Sequence, residues 1–165
     1  MYAIFLVGVS ASGKSTLTKH LIEEGRESFD TEFVEINRDN IRFSLIDPYG
    51  SWKTYKFTKM NEDIVTETWE KQLRGAILNN KNVILSDTNL NQKYLTQNID
   101  YLKEQGYTVV VQVMRIPVEI CIERDKQRGD FSVGKDVIEK QQKSLDSLLE
   151  NRSKWSDVPF YYVTH

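Results

Sequence analysis

Gly8-Val9-Ser10-Ala11-Ser12-Gly13-Lys14-Ser15 follows the pattern G-x-x-x-x-G-K-[ST] in full, directly after the apolar run Tyr2 to Val7 and directly before an amphipathic stretch. Each residue type has its own work in such a segment. The glycines let backbone N–H groups, here those of Gly8, Ser10, Ala11, Ser12 and Gly13, wrap the phosphates of a nucleoside triphosphate. The helix that opens at Ser15 and Thr16 adds the positive potential of its N-terminus. Lys14 is placed to reach the β- and γ-phosphates, and the Ser15 hydroxyl to ligate Mg²⁺. A tight strand-to-helix turn accounts for the glycines but for neither the lysine nor the hydroxyl. The cradle leaves the acceptor open, because NTPases, nucleotide kinases and metabolite kinases share it.

Residues that suit the acceptor side follow the second apolar run, in Ile36-Asn37-Arg38-Asp39-Asn40-Ile41-Arg42. If a helix starts there, Asp39 and Arg42 lie one turn apart and point together. A kinase acting on an alcohol needs a base hydrogen-bonded to the hydroxyl, and an acceptor bearing phosphates needs a guanidinium fork. The plainer account of Asp39 is an N-cap. The third apolar run ends in Leu85-Ser86-Asp87-Thr88-Asn89. Three roles are open there: Asp87 can hold the water shell of the metal, it can orient Arg42, or the segment can simply cap a helix near Asn91 through Thr88 or Asn89. Further on, Arg124 and Arg128 share a helical face, as a lid over the γ-phosphoryl group requires, although a solvated basic helix end has the same pattern. Tyr55-Lys56-Phe57-Thr58-Lys59 interleaves cations and aromatics and can form one wall of a groove for nucleic acid. Trp52, Tyr55 and Trp69 also suit core or hinge packing, and neither His20 nor His165 has a partner that suggests metal binding or catalysis.

Secondary structure must bring these segments together. Runs at Tyr2 to Val7, near Val34, near Ile84, near Val110 and at the closing Pro159 to Val163 have the composition of buried strands. Helical patterns lie between them, at Ser15 to Glu24, about Lys53 to Asn79, Asn91 to Gln105, Pro117 to Gln127 and Val137 to Asn151. The alternation predicts an α/β fold with a five-stranded parallel sheet, helices on both faces, and the chemistry collected on the edge where the strands end. At 165 residues, with no linker or repeat, the expectation is a single domain over 1–165 with a small helical lid at about 124–136. A formal charge of −2 excludes a uniformly basic protein, so a nucleic-acid partner would be gripped by a local cluster. The lone Cys121 excludes an internal disulfide framework and a thiolate-rich metal site. Tyr2 to Val7 is too short to span a bilayer and lacks the marks of a signal peptide, so the expectation is a cytoplasmic protein with no membrane partner.

Taken in order and spacing, GVSASGKST, INRDNIR, YKFTK followed by EDIVTETW, VILSDTNLN and ERDKQRG resemble the kinase domain of phage-type polynucleotide kinases over nearly the whole chain. The resemblance implies a P-loop kinase fold of the adenylate-kinase-like class, ATP and Mg²⁺ as cofactors, and transfer of the γ-phosphoryl group to the 5′-hydroxyl end of DNA or RNA. It assigns Lys14 and Ser15 to the phosphates and the metal, Asp39 to the general base and Arg42 to the acceptor's phosphate. It further implies that Asp87 supports Arg42, that Thr88 and Val133 flank the terminal nucleotide, and that Arg124 and Arg128 belong to the ATP-binding lid, with Arg128 on the phosphoryl oxygens. If the chain is phage-encoded, it would work in the host cytoplasm. The chain departs from that family's two-domain member in carrying no D-x-D-G-T segment, from which no 3′-phosphatase activity is expected, and in placing Asp130-Phe131-Ser132 in the lid. The same machinery also suits another alcohol, such as a modified nucleobase hydroxyl, a nucleoside or a small metabolite, and an NTP-dependent regulatory module shares the cradle.

Overall fold

A computed structural model describes residues 1–28, 31–155 and 157–164 and, at 154 and 155, the backbone alone. His165 therefore lies outside the described residues. Five strands, β1 (Tyr2–Val7), β2 (Phe33–Ile36), β3 (Asn82–Leu85), β4 (Thr108–Met114) and β5 (Phe160–Val163), form one sheet in the order β2-β3-β1-β4-β5, with every neighbouring pair parallel. The apolar runs are continuous because the inner strands are covered on both faces. From Ala3 to Val7 every residue of β1 is buried.

Ile4, Leu6 and Ile84 point to one face and pack against Leu17, Leu21 and Ile22 of α1 (Lys14–Ser28). The other face carries the larger core, in which Phe5, Val7, Val83, Leu85 and Val111 meet α3 (Lys59–Leu78) and α4 (Gln92–Glu104). Those helices contribute Val65, Trp69 and Leu73, and Leu95, Ile99 and Leu102, at the spacing of one helical face. Leu102 is fully buried, so its truncation to Ala would cost about 2–5 kcal/mol. Two more helices, α5 (Val118–Lys126) and α6 (Lys135–Glu150), complete the cover.

The chain leaves β1 toward β2 and leaves the adjacent β4 toward β5. Connections that depart in opposite directions open a crevice beyond the C-terminal ends of those two strands, where parallel sheets bind ligands. One helix differs from expectation: the pattern predicts a start near Lys53, but α3 begins at Lys59. Thr58 caps it, accepting from the Asn61 amide at 3.1 Å. Upstream, a turn is held by Ser51 O, which accepts from the amides of Thr54 and Tyr55, and by Thr54 Oγ1, which donates to Asp47 at 2.7 Å. Residues 55–58 are thereby kept off the helix. The segment after β2 forms a short α2 (Arg38–Ile41) that widens into a π turn over Arg42–Ile46.

Candidate active site

The loop after β1 is shaped by what it cannot hold. A Cβ on Gly8 would fall 2.7 Å from Met114 Cβ and 2.9 Å from Ser12 Oγ, so only glycine fits. Gly13 sits at φ +99, a conformation other residues adopt at a cost. Lys14 Nζ folds back to donate to Gly8 O at 2.9 Å and Val9 O at 2.7 Å. Burial is the main reason its pKa drops to about 8; Arg128 pushes the same way, while Cys121, Asp39 and Asp87 pull back. Ser12 Oγ is buried with no hydrogen-bond partner among the described residues, an arrangement that costs about 1–3 kcal/mol until something accepts from it. The Ser15 and Thr16 side chains are exposed at the start of α1. An orphaned hydroxyl, a lysine held on backbone carbonyls and a glycine cradle are what a triphosphate fits.

Across the cleft, Asn37 and not Asp39 caps α2: its Oδ1 accepts from the Asn40 amide at 3.0 Å. The Asp39 carboxylate is left for other work, and its side chain is 53% exposed. It accepts from Arg42 Nη1 at 2.6 Å. The rest of the guanidinium is gripped by Glu62 of α3, with Nε donating to Oε2 at 3.2 Å and Nη2 to Oε1 at 2.6 Å. The Tyr55 hydroxyl donates to the same Glu62 at 2.7 Å. Burial alone would lower the pKa of Arg42, but the bonds to Glu62 and Asp39 outweigh it and hold the group above its ordinary value. Arg42 in turn holds Glu62 low, against the effect of burial and with help from the Tyr55 hydroxyl. The Tyr55 phenol is pushed up to about 12 by burial and by Glu62.

Asp87 does not take up the support of Arg42 that the resemblance implies. Its Oδ1 accepts from the Arg38 amide at 2.8 Å and its Oδ2 from the Trp69 indole at 3.1 Å, so it anchors the start of α2 to α3. Glu62 of α3 occupies the fork of Arg42 instead, while both Asp87 oxygens are already engaged. Burial raises the pKa of Asp87, opposed by the Arg38 amide and charge. Capping of α4 falls to Asn91, which accepts from the Tyr94 amide at 3.1 Å, and not to Thr88 or Asn89. Asn89, at φ 52, donates from its amide to Leu6 O, Leu85 O and Asp87 O, tying the ends of β1 and β3 together. Thr88 O accepts from the Gly8 amide at 3.1 Å, which sets the height of the cradle.

The lid is organised around a residue that sequence reading passed over. Asp125, between the two expected arginines, is buried and accepts from Val133 N at 3.0 Å, Gly134 N at 2.9 Å and Ser132 Oγ at 2.6 Å. Those bonds outweigh burial and keep its carboxyl below the usual range. Arg128 Nη1 stands 3.7 Å from the same carboxylate. From the short turn Gly129–Phe131 this loop reaches the opposite wall of the cleft twice: Asp130 pairs with Lys53 at 2.7 Å, and Phe131 meets the Phe43 ring edge-on at 5.3 Å.

One cleft of about 1250 Å³ is lined by Ser10, Ala11, Ser12, Gly13, Lys14, Ser15, Thr16, Asp39, Arg42, Asp87, Thr88, Arg124, Arg128 and Val133 together. Gly8 lies behind that wall and acts through its backbone. Three contributors were missed from sequence: Glu62, Asp125 and Gln141, whose Oε1 accepts from the Ser10 amide at 2.8 Å; Asn89 was singled out, but as a cap. Each works through tertiary proximity; only the Asp between two lid arginines carried a local signal. His20 sits 3.5 Å from Glu24, and no group of three metal-ligating side chains occurs among the described residues.

The family described as AAA domain matches residues 4–148. A protein of Autographa californica nuclear polyhedrosis virus assigned as a bifunctional polynucleotide kinase/RNA ligase is 30% identical over 154 residues, which is 86% of this chain and 20% of that protein. A chain in the structure of the Pnkp1/Rnl/Hen1 RNA repair complex superposes with a TM-score of 0.73 at 26% identity, covering 91% of this chain and 45% of that one. Deoxyadenosine kinase from M. mycoides shares the fold, with a TM-score of 0.60 at 18% identity over 99% of this chain and 90% of its own. The chain thus spans a fifth of the curated relative and under half of the repair-complex chain.

Proposed function

This chain belongs to the AAA-domain family of P-loop proteins, and from that premise we propose that it transfers the γ-phosphoryl group of ATP to the 5′-hydroxyl end of a nucleic acid strand. The observation that carries the reading is the Asp39–Arg42 pair, 2.6 Å apart, lining the same cleft as Lys14. A carboxylate accepts the hydroxyl proton as the oxygen attacks, and a guanidinium beside it recognises the phosphate that only a polynucleotide or nucleotide acceptor offers. The polynucleotide kinase named among the relatives supports the same choice of acceptor.

On the donor side, the expected use of the Gly8 and Ser10 amides is corrected, because they are already bonded to Thr88 O and Gln141 Oε1. The remaining loop amides and Lys14 hold the β- and γ-phosphates, and the Ser12 hydroxyl finds its acceptor there. Arg124 and Arg128 close over the transferring group, where donors aimed at developing charge do most for the rate. The exposed Ser15 hydroxyl is the ligand this chain offers to Mg²⁺, which when bound neutralises charge on the phosphoryl oxygens. Asp39 receives the proton, so the bond formed is O–P to the acceptor, the bond broken is the γ–β bridge, and ADP leaves. Removal of 3′-phosphates is not part of the proposal, as these residues hold no D-x-D-G-T segment. No helix among the described residues is long and apolar enough to cross a membrane.

Transfer of labelled γ-phosphate to a panel of 5′-hydroxyl DNA and RNA oligonucleotides, nucleosides and DNA with hydroxylated bases tests donor and acceptor together. Label at the 5′ ends of oligonucleotides is the expected result. Equal or better labelling of nucleosides, or hydrolysis indifferent to every acceptor, would overturn the reading.

A further inference from the structure

Five aromatic rings crowd the acceptor end of the cleft: Phe43, Trp52, Tyr55, Phe57 and Phe131. Four of them have a packing role, since Tyr55 is buried, Phe43 and Trp52 are partly buried, and Phe131 bears the lid contact. Phe57 is different. It is 61% exposed, its ring lies parallel to that of Trp52 at 5.6 Å, and both line the cleft beside Asp39 and Arg42. The Arg42 guanidinium sits 5.4 Å from the Phe57 ring centre. An exposed ring on a loop is ordinarily costly, and here the loop is tied at its base by the Ser51 and Thr54 hydrogen bonds, with the exposed Lys53–Asp130 pair beside it. Exposed Lys56 stands next to it in sequence.

The geometry points to Phe57, backed by Trp52, as a stacking platform for the nucleobase that follows the phosphate held by Arg42. The inference rests on the acceptor assignment above and extends it. Aromatic faces interleaved with cations are how proteins grip single strands without reading sequence, because every base offers a π-face and every linkage a charge.

The test compares a 5′-hydroxyl trinucleotide with a nucleoside 3′-monophosphate, which offers Arg42 its phosphate but has no second base. In the wild type the trinucleotide should show a KM about tenfold lower or better, the span expected of one stacked base. Phe57→Ala should abolish that ratio with little change in kcat, and Phe57→Trp should restore it. A trinucleotide abasic at its second position should behave on the wild type as the intact one does on Phe57→Ala. A loss acting only through Arg42 would fall equally on the mononucleotide, and that result, or an unchanged ratio, overturns the platform. Fluorescence anisotropy of a labelled trinucleotide decides the matter without catalysis: Phe57-dependent binding supports the platform even if no phosphoryl group moves, whereas absence of transfer to any polynucleotide overturns the acceptor assignment alone. If the protein self-associates, Phe57→Ala dissolves the association and trinucleotide affinity is unaltered, the ring is a contact between copies and the platform is refuted.

Discussion

The donor and acceptor ends of the cleft hold their polar groups in opposite ways. At the donor end the groups wait: Ser12 Oγ has no partner among the described residues, and Lys14 rests on two backbone carbonyls, its pKa lowered to about 8. At the acceptor end they are already satisfied, with Arg42 held by Asp39 and by both oxygens of Glu62. An incoming triphosphate relieves an unmet hydrogen-bonding demand, while an incoming acceptor phosphate must share a guanidinium with two carboxylates. On the proposed function, the cradle is therefore built to bind, and the Asp39–Arg42 end to orient and discriminate.

Breaking the acceptor end should hurt turnover far more than donor binding. Asp39→Asn removes the proton acceptor and is expected to lower kcat by about 10²- to 10⁴-fold while ATP affinity, measured by calorimetry, stays near wild type. Retained turnover would remove Asp39 from the mechanism. Next in size, Arg42→Ala should cost about 10- to 100-fold in kcat/KM with an oligonucleotide and much less with an uncharged alcohol, as befits the loss of charge-assisted hydrogen bonds to a phosphate. Equal losses on the two would mean that Arg42 only positions Asp39.

The donor end can be probed by pH. Lys14 binds phosphate as the ammonium, and with its pKa lowered to about 8 the free protein loses that proton as pH rises through about 8. ATP affinity should be flat below that point and fall by about tenfold per pH unit above it, with proton uptake on binding. Affinity that is flat through pH 9 would show that Lys14 keeps its proton there. The smallest effect belongs to the lid. Asp125→Asn leaves one of its donors facing an amide N–H₂, at a local cost of about 1–3 kcal/mol, and should raise KM for ATP several-fold with acceptor KM unchanged. Because Asp130 and Phe131 tie the lid to Lys53 and Phe43, a parallel rise in acceptor KM would instead show that the two ends are coupled through it.

The cradle was legible in the sequence because it is local: eight successive residues, with the strand and helix that flank them, carry donors, charge and turn in one stretch. The strands were legible for a similar reason, since inner parallel strands must be apolar on both faces. Asp39 and Arg42 were legible as a pair because they lie three positions apart on one turn. Tertiary structure alone decided which carboxylate holds Arg42. Glu62 is 20 residues away and Asp87 lies on another strand end, and only the packing of α3 beside α2 puts Glu62 within 2.6 Å while turning Asp87 toward the Arg38 amide and Trp69. It also decided that Asn37 caps α2, that Asp125 gathers the lid loop, and that residues 55–58 stay off the helix, leaving Phe57 exposed where it lines the cleft. Residue type and spacing determine what a short segment is able to do, but the partner a charge takes depends on distances across elements that only the packed core sets.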